Sequence, residues 1–160
     1  MTTRRWYLGL GAACALLAGI VAAGFVLLFS SSSKAAPTKA QYFAHVAAIC
    51  RVYGPKLDKV PPPTDIAIPG VVASSLGKAL PILEAQAVAV HGLRPPSELR
   101  TKVERWVVLD DRALAKLRES LRLAREPNLS QMAFAYIQFE KNSRAAKHLG
   151  QTIGFPHPPC

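Results

Sequence analysis

The sequence predicts an all-α protein, in which one N-terminal transmembrane helix precedes an antiparallel four-helix bundle closed by a disulfide. Three observations support this fold class. An uncharged apolar run occupies residues 6–29. Four later segments carry apolar residues at spacings of three and four, the period of one helix face, and proline-bearing loops separate these segments. No alternating apolar and polar pattern of convincing length indicates a strand.

The apolar run from Trp6 to Phe29 predicts a membrane span. A helix of about 24 residues is roughly 36 Å long, which exceeds a hydrocarbon core of about 30 Å. Arg4 and Arg5 precede the run and only Lys34 follows it closely, so the positive-inside rule leaves the N-terminus in the cytoplasm and exports the rest. The predicted organisation is therefore a stub and signal anchor (1–29), a tether (30–37) and an extracytoplasmic domain (38–160).

The same segment supports other export signals. A cleavable signal peptide would use Ser33-Lys34-Ala35 as its small-x-small site, with secretion of the domain as the result. A lipoprotein would use the lipobox-like Gly11–Cys14, although the apolar run continues well past Cys14. Thr3–Leu8 also resembles a twin-arginine signal, and the alternative is that its two arginines only set topology. All these hypotheses place the domain outside the cytoplasmic membrane.

The first two helices of the domain are delimited by capping residues and prolines. Thr38 caps a first helix that runs to about Val60, and Gly54-Pro55 is expected to kink or interrupt it. A second helix runs from about Val71 to Leu93, with a bend expected just before Pro81.

The third and fourth helices are predicted in the same way. The third runs from Ser97 to about Arg125, and the fourth begins after Asn128 or Ser130 and ends near Leu149, where Gly150 supplies a stop. Short loops favour an up-down-up-down bundle. The side chains expected to face its interior include Tyr42, Val46, Val72, Leu76, Leu80, Ala87, Val90, Val103, Trp106, Leu114, Leu117, Leu121, Met132, Tyr136, Phe139 and Ala146.

The cysteine content suggests one disulfide. If the domain is exported, thiols tend to be oxidised, and outside the apolar run the chain contains only Cys50 and Cys160. Ten or so extended residues after Gly150 can reach Cys50 on the first helix. A bridge closing a loop of about 110 residues would stabilise the fold by roughly 4 to 5 kcal/mol in the chain-entropy model. The alternative is two free cysteines, with Cys50 acting as a small core residue.

Several stretches together resemble a known group of proteins. They are YFAHVAAIC in the first helix, the VPPPTD turn, RTKVERWVVLDDRALAKL in the third helix and the final cysteine. In these stretches the chain is similar to small exported helical proteins of unknown function from mycobacteria and related actinobacteria. The resemblance covers most of residues 40–160 and implies a disulfide-closed helical bundle at the cell envelope. It implies no active-site residue.

The histidines are the candidate metal ligands, and their spacing does not favour a metal site. His45, His91, His148 and His157 include no pair at the i, i+4 spacing that places two ligands on one helix face. A bis-histidine haem held by His45 and His91 is geometrically imaginable, but satisfied or exposed histidines are the expected state. We therefore expect no metal, no cofactor and no catalytic residue.

Asp110 is the one polar residue that interrupts an apolar stripe. It lies in register with Val107 and Leu114, and a buried carboxylate is costly unless it is paired. The sequence favours a structural carboxylate with an Arg or His partner from a neighbouring helix over an acid in a functional cleft.

The domain carries a net charge of about +7 once Arg4, Arg5 and Lys34 are set aside from the +10 of the chain. Such a surface suits anionic partners, and an exported domain makes nucleic acid the least expected of them. The predicted basic face, for an anionic lipid or an acidic envelope protein, comprises Arg112, Lys116, Arg118, Arg122 and Arg125. The alternative is an ordinary solvated helix surface.

These observations lead to two hypotheses of function. The first is a non-enzymatic, membrane-anchored helical protein that serves as an accessory or scaffold subunit of an envelope assembly. The second is a bundle that binds a lipid or another small apolar molecule between its helices, since the domain is rich in aromatic residues. An enzyme ranks third because no catalytic motif is evident.

Overall fold

The computed structural model describes residues 36–126 and 128–155, which form four α-helices, one short 3₁₀ helix and no strand. The predicted all-α class is confirmed for these residues. The helices are α1 (Lys39–Leu57), α2 (Pro69–His91), α3 (Arg100–Leu123) and α4 (Leu129–Ile153), and the 3₁₀ helix (Ser97–Leu99) leads into α3. The predicted membrane span lies outside the described residues. Within the described part of the chain, no helix is both long and apolar enough to cross a bilayer.

Helix α1 starts at the predicted cap. Thr38 accepts from the Gln41 amide at 3.2 Å, and the Gln41 side chain accepts from the Thr38 amide at 2.9 Å, which forms a capping box. The helix is not interrupted at Gly54-Pro55 but ends two residues later. Pro55 lacks the N–H that would donate to the Arg51 carbonyl, so the cost is one hydrogen bond in a helix that ends two residues later. The proline is therefore tolerated. Pro81 likewise lies inside α2.

Helix α4 ends later than the sequence predicts. It continues through the buried Gly150 to Ile153, and Gly154 takes the left-handed conformation with φ of 93°. The Phe155 amide donates to the Gly150 carbonyl at 3.1 Å, and the Gly154 amide donates to the Gln151 carbonyl at 3.0 Å. These two bonds form a Schellman motif. The predicted stop at Gly150 is wrong because the next glycine ends the helix.

The directions of the helices follow from contacts between them. Glu84 and His91 on α2 pair with Arg118 and Asp110 on α3, so these two helices are antiparallel. The Ser120 hydroxyl near the end of α3 donates to the Met132 carbonyl near the start of α4, so this pair is also antiparallel. The start of α1 lies against the residue that follows α4, since Tyr42 contacts Phe155. The described helices thus alternate in direction.

The core consists of two clusters, one toward each end of the bundle. We call the cluster near the first described residue the proximal cluster; it receives side chains from all four helices. Its buried members are Tyr42, Val46, Val90, Leu99, Val103, Trp106, Ala146, Ile153 and Phe155. The distal cluster is built from α2, α3, α4 and the residue after α3, and Ile66 of the loop after α1 packs against it. Its buried members are Val72, Leu76, Leu80, Ala87, Leu114, Leu117, Leu121, Leu123, Ala124, Met132 and Ala135.

Candidate functional site

Asp110 of α3 has a histidine partner at the last residue of α2. His91 Nε2 lies 3.1 Å from Asp110 Oδ2, and His91 Nδ1 lies 3.6 Å from Asp111 Oδ1. The His91 and Asp110 side chains are 21% and 27% exposed, so the predicted buried carboxylate is in fact half-buried. A neutral imidazole donates one N–H, and a protonated one donates both. The arrangement therefore joins the end of α2 to the middle of α3 through one imidazole.

Trp106 completes this polar cluster from the core side. Its ring meets the His91 ring edge-on, with centroids 5.7 Å apart and planes at 85°. Trp106 is 1% exposed, and its indole Nε1 has no hydrogen-bond partner within the described residues. A buried donor without a partner is costly. The periodicity of the third helix predicts a core position for Trp106 but gives no signal that its N–H would lack an acceptor.

A cavity of about 50 Å³ lies between α2 and α3 next to this cluster. Leu83, Gln86, Ala87, Val90, Trp106, Asp110 and Leu114 line it. Gln86 is only 7% exposed, so polar and apolar groups share the cavity wall. Its volume suffices for ordered water, which needs more than about 10 to 15 Å³ and at least two polar partners. It is far below the roughly 300 to 1,000 Å³ of a site for an organic ligand.

A second concave surface lies at the distal end. It encloses about 330 Å³ between the loop that follows α1 and the first turns of α2, and it is open to solvent. Its polar rim includes the Thr64, Ser74 and Lys78 side chains. The Ser75 hydroxyl donates to the Pro61 carbonyl at 2.6 Å and fixes the loop on α2. This surface is a shallow groove produced by loop packing.

The predicted basic face is largely neutralised. Lys116 pairs with Glu119, Arg118 with Glu84, and Arg122 with Glu126. Of the five predicted residues, only Arg112 and Arg125 have no carboxylate within salt-bridge distance among the described residues. Two of the acids, Glu119 and Glu126, lie on α3 or just after it, while Glu84 comes from α2.

Eleven other exposed cations have no such partner within the described part of the chain, and five of these belong to the proximal end. These five are Lys39, Arg94, Arg100, Lys102 and Arg105. Each lies in the first turn of α1, in the loop after α2, or in the first two turns of α3. The Lys39 ammonium lies over the Phe43 ring, 5.5 Å from its centroid. The sequence does not single out this group because its members come from three separate segments.

Three large apolar side chains of α4 are exposed: Leu129 at its first residue, and Phe134 and Ile137 on its outer side. Phe134 is 60% exposed and Ile137 is 52% exposed. They lie one turn apart on the same side of the helix, and the exposed Lys141 follows one turn later. Tyr136 and Phe139 instead point inward and pack against the distal cluster. Burial and the nearby Glu140 carboxylate both raise the pKa of Tyr136.

The candidate metal ligands do not come together in the described residues. Within 36–126 and 128–155, no group of three or more His, Cys, Asp or Glu side chains is placed to hold a metal ion. His91 is engaged by Asp110 and Asp111, His45 lies half-buried on α1, and His148 is exposed on α4. His157 lies outside the described residues.

The predicted disulfide involves one residue that the structure describes. Cys50 is half-buried on α1 and packs against the proximal cluster. Cys160 lies outside the described residues, so the pairing stays a prediction.

No protein-family model, no curated protein and no solved structure matches the chain.

Proposed function

We propose that the protein is a non-enzymatic, membrane-anchored helical module that acts as an accessory or scaffold subunit of a cell-envelope assembly. The observation that carries this proposal is the outer side of α4. Phe134 and Ile137 are more than half exposed there, although the bundle has an apolar interior available to other α4 side chains. Apolar and aromatic side chains at the centre of a contact, with charged residues at its rim, are typical of protein interfaces.

The chemistry of this surface indicates the kind of partner it fits. Lys141 lies on the same side as Phe134 and Ile137 and is exposed. A partner protein with an apolar patch bordered by carboxylates would be complementary to it. The predicted anchor would hold the module in the membrane plane, which raises its effective concentration toward such a partner.

The predicted Cys50–Cys160 disulfide is part of the same proposal. Phe155 packs against Tyr42 and Phe43, with ring centroids 6.2 and 5.8 Å apart, so the C-terminal segment starts beside the first turn of α1. Cys50 is farther along α1 than Tyr42 by about 12 Å. The five residues from Phe155 to Cys160 span at most about 17 Å. The bridge is within reach, and it would fix the C-terminus on α1.

Site-specific photo-crosslinking in native membranes tests the scaffold role. A photoreactive phenylalanine derivative replaces Phe134, and the matched control replaces Val108, which is 47% exposed on α3. We expect a discrete adduct of higher mass from position 134 and none from position 108. In addition, Phe134→Ser with Ile137→Ser should abolish the complex in native gel electrophoresis without loss of helix signal. The absence of any adduct at position 134 would contradict the proposal.

The alternative function, a bundle that holds a lipid or small apolar molecule, has less support. The cavity between α2 and α3 measures about 50 Å³, well below the roughly 300 to 1,000 Å³ of a site for an organic ligand. Native mass spectrometry of the protein released from membranes would detect a bound lipid directly.

A further inference from the structure

The proximal end of the bundle carries an excess of positive charge. Its five exposed cations, Lys39, Arg94, Arg100, Lys102 and Arg105, are accompanied by two carboxylates, Glu98 and Glu104, which leaves a net charge of +3. At the distal end, five exposed cations, Lys56, Lys59, Lys78, Arg122 and Arg125, accompany the carboxylates Asp58, Asp65 and Glu126, for a net charge of +2. The distal Arg122 is also paired, with Glu126 at 2.8 Å. The bundle therefore has one end more basic than the other.

The segments that bear these cations are held at one end by the proximal cluster. Phe155 contacts Tyr42 of α1 and Trp106 of α3, with centroids 6.2 and 5.5 Å apart. Leu99, just before α3, and Leu93, in the loop after α2, pack in the same cluster. The first turn of α1, the 92–99 loop and the start of α3 therefore share one end of the domain.

The described chain also begins at this end. Ala36 precedes α1 by a few residues, and the predicted apolar span ends at Phe29. The six residues between them reach at most about 20 Å. The proximal end is thus the end at which the predicted tether joins the described residues.

We propose that the proximal basic end docks on the headgroups of anionic phospholipids in the membrane that holds the anchor. This inference rests on the proposed membrane anchoring and names the surface that meets the lipid. Guanidinium groups bind phosphate through paired N–H donors. Cations near an anionic bilayer are attracted to it within about one Debye length, roughly 8 Å at physiological salt. Arg94, Arg100, Lys102 and Arg105 are the cations of this contact, with Lys39 beside the tether.

Energy transfer from Trp106 to labelled lipid headgroups tests the docking. The chain has two tryptophans, Trp6 and Trp106, so Trp6→Phe leaves Trp106 in the proximal cluster as the sole donor. The full-length protein is reconstituted in vesicles containing dansyl-labelled phosphatidylethanolamine, with either phosphatidylcholine alone or phosphatidylcholine mixed with phosphatidylglycerol. We expect stronger transfer in the anionic vesicles, and high salt should reduce it to the value found in phosphatidylcholine.

Two variants that each lose four positive charges test whether the lipid-dependent energy transfer depends on the proximal end. Arg94, Arg100, Lys102 and Arg105 are each replaced by Gln in the test variant, and Arg112, Lys116, Arg122 and Arg125 by Gln in the control. The test variant should lose the lipid-dependent transfer and the control should keep it, with unchanged far-ultraviolet circular dichroism in both. Equal transfer in the two vesicle types, or equal loss in the two variants, would overturn the docking.

Flotation of the same vesicles separates this inference from the function it rests on. Protein that floats with both vesicle types but shows no lipid-dependent transfer overturns only the docking. Protein that floats with neither contradicts the membrane anchor, and the docking with it.

Discussion

His91 and Asp110 connect the C-terminal residue of α2 to the middle of α3, with His91 Nε2 3.1 Å from the Asp110 carboxylate. The imidazole belongs to the last residue of α2, and the Trp106 ring packs edge-on against it from the core side. The pair lies at the level where the proximal cluster meets the small cavity. It is thus placed to fix the register of α2 on α3.

This geometry predicts a measurable coupling between the two side chains. Asp110→Leu and His91→Leu should each lower the free energy of unfolding, and the double-mutant cycle should return a coupling of about 1 kcal/mol. The measurement is urea unfolding of the full-length protein in a mild detergent. The control cycle uses the more exposed Arg118–Glu84 pair, whose coupling should be smaller. A coupling of zero for His91 and Asp110 would show that the contact contributes nothing to stability.

Because Tyr42 is buried, we expect the protein to lose stability at alkaline pH. Burial raises the pKa of the Tyr42 phenol from 10.0 to about 12. Above pH 10 the unfolded state loses this proton while the folded state retains it, so rising pH favours unfolding until about pH 12. The free energy of unfolding should fall by about 2 to 3 kcal/mol across that interval.

Tyr42→Phe should remove this part of the alkaline loss. Because the Tyr42 hydroxyl has no hydrogen-bond partner among the described residues, the substitution should cost little at pH 7. The comparison is between the pH profiles of urea unfolding for the wild type, Tyr42→Phe and the control Tyr53→Phe. If Tyr42→Phe retained the full loss between pH 10 and pH 12, the burial of this phenol would not be its cause.

Alanine substitutions at two glycines should change the stability of the protein in opposite directions. Gly154 has φ of 93°, and a Cβ at this position would meet the Phe43 ring at 3.6 Å, an ordinary contact. Gly154→Ala should therefore destabilise the protein by about 1 kcal/mol through backbone strain alone. Gly77 lies inside α2, and a Cβ added there would have no neighbouring atom within 4 Å. Gly77→Ala should stabilise by about 0.5 to 1 kcal/mol, and thermal unfolding of both variants measures the difference in sign.

Mass spectrometry after alkylation tests the predicted Cys50–Cys160 disulfide. The exported protein, alkylated without reduction, should carry no label on Cys50 or Cys160 and should take up label on both after reduction. Cys160→Ser should lower the free energy of unfolding by up to about 4 to 5 kcal/mol. Labelling of both thiols before reduction would exclude the bridge.

The sequence alone determined the helices and most of their inner faces. Trp106, Leu117 and Met132 are buried as their spacing predicts, because a period near 3.6 puts them on the side that faces the other helices. Thr38 caps α1 as predicted, since a capping box involves residues within a single turn. Interactions of this kind depend on neighbours in the chain and can be inferred from it.

Only the tertiary structure decided what depends on neighbouring helices. Gly154 rather than Gly150 ends α4, and the residue after it, Phe155, is buried against Tyr42 and Trp106. His91 of α2 is the partner of Asp110, and Arg118 of the predicted basic face pairs with Glu84 of α2. Charge pairing across helices requires side chains distant in sequence to lie within about 4 Å of each other. The spacing of residues along one helix does not specify that distance; the packing of the four helices does.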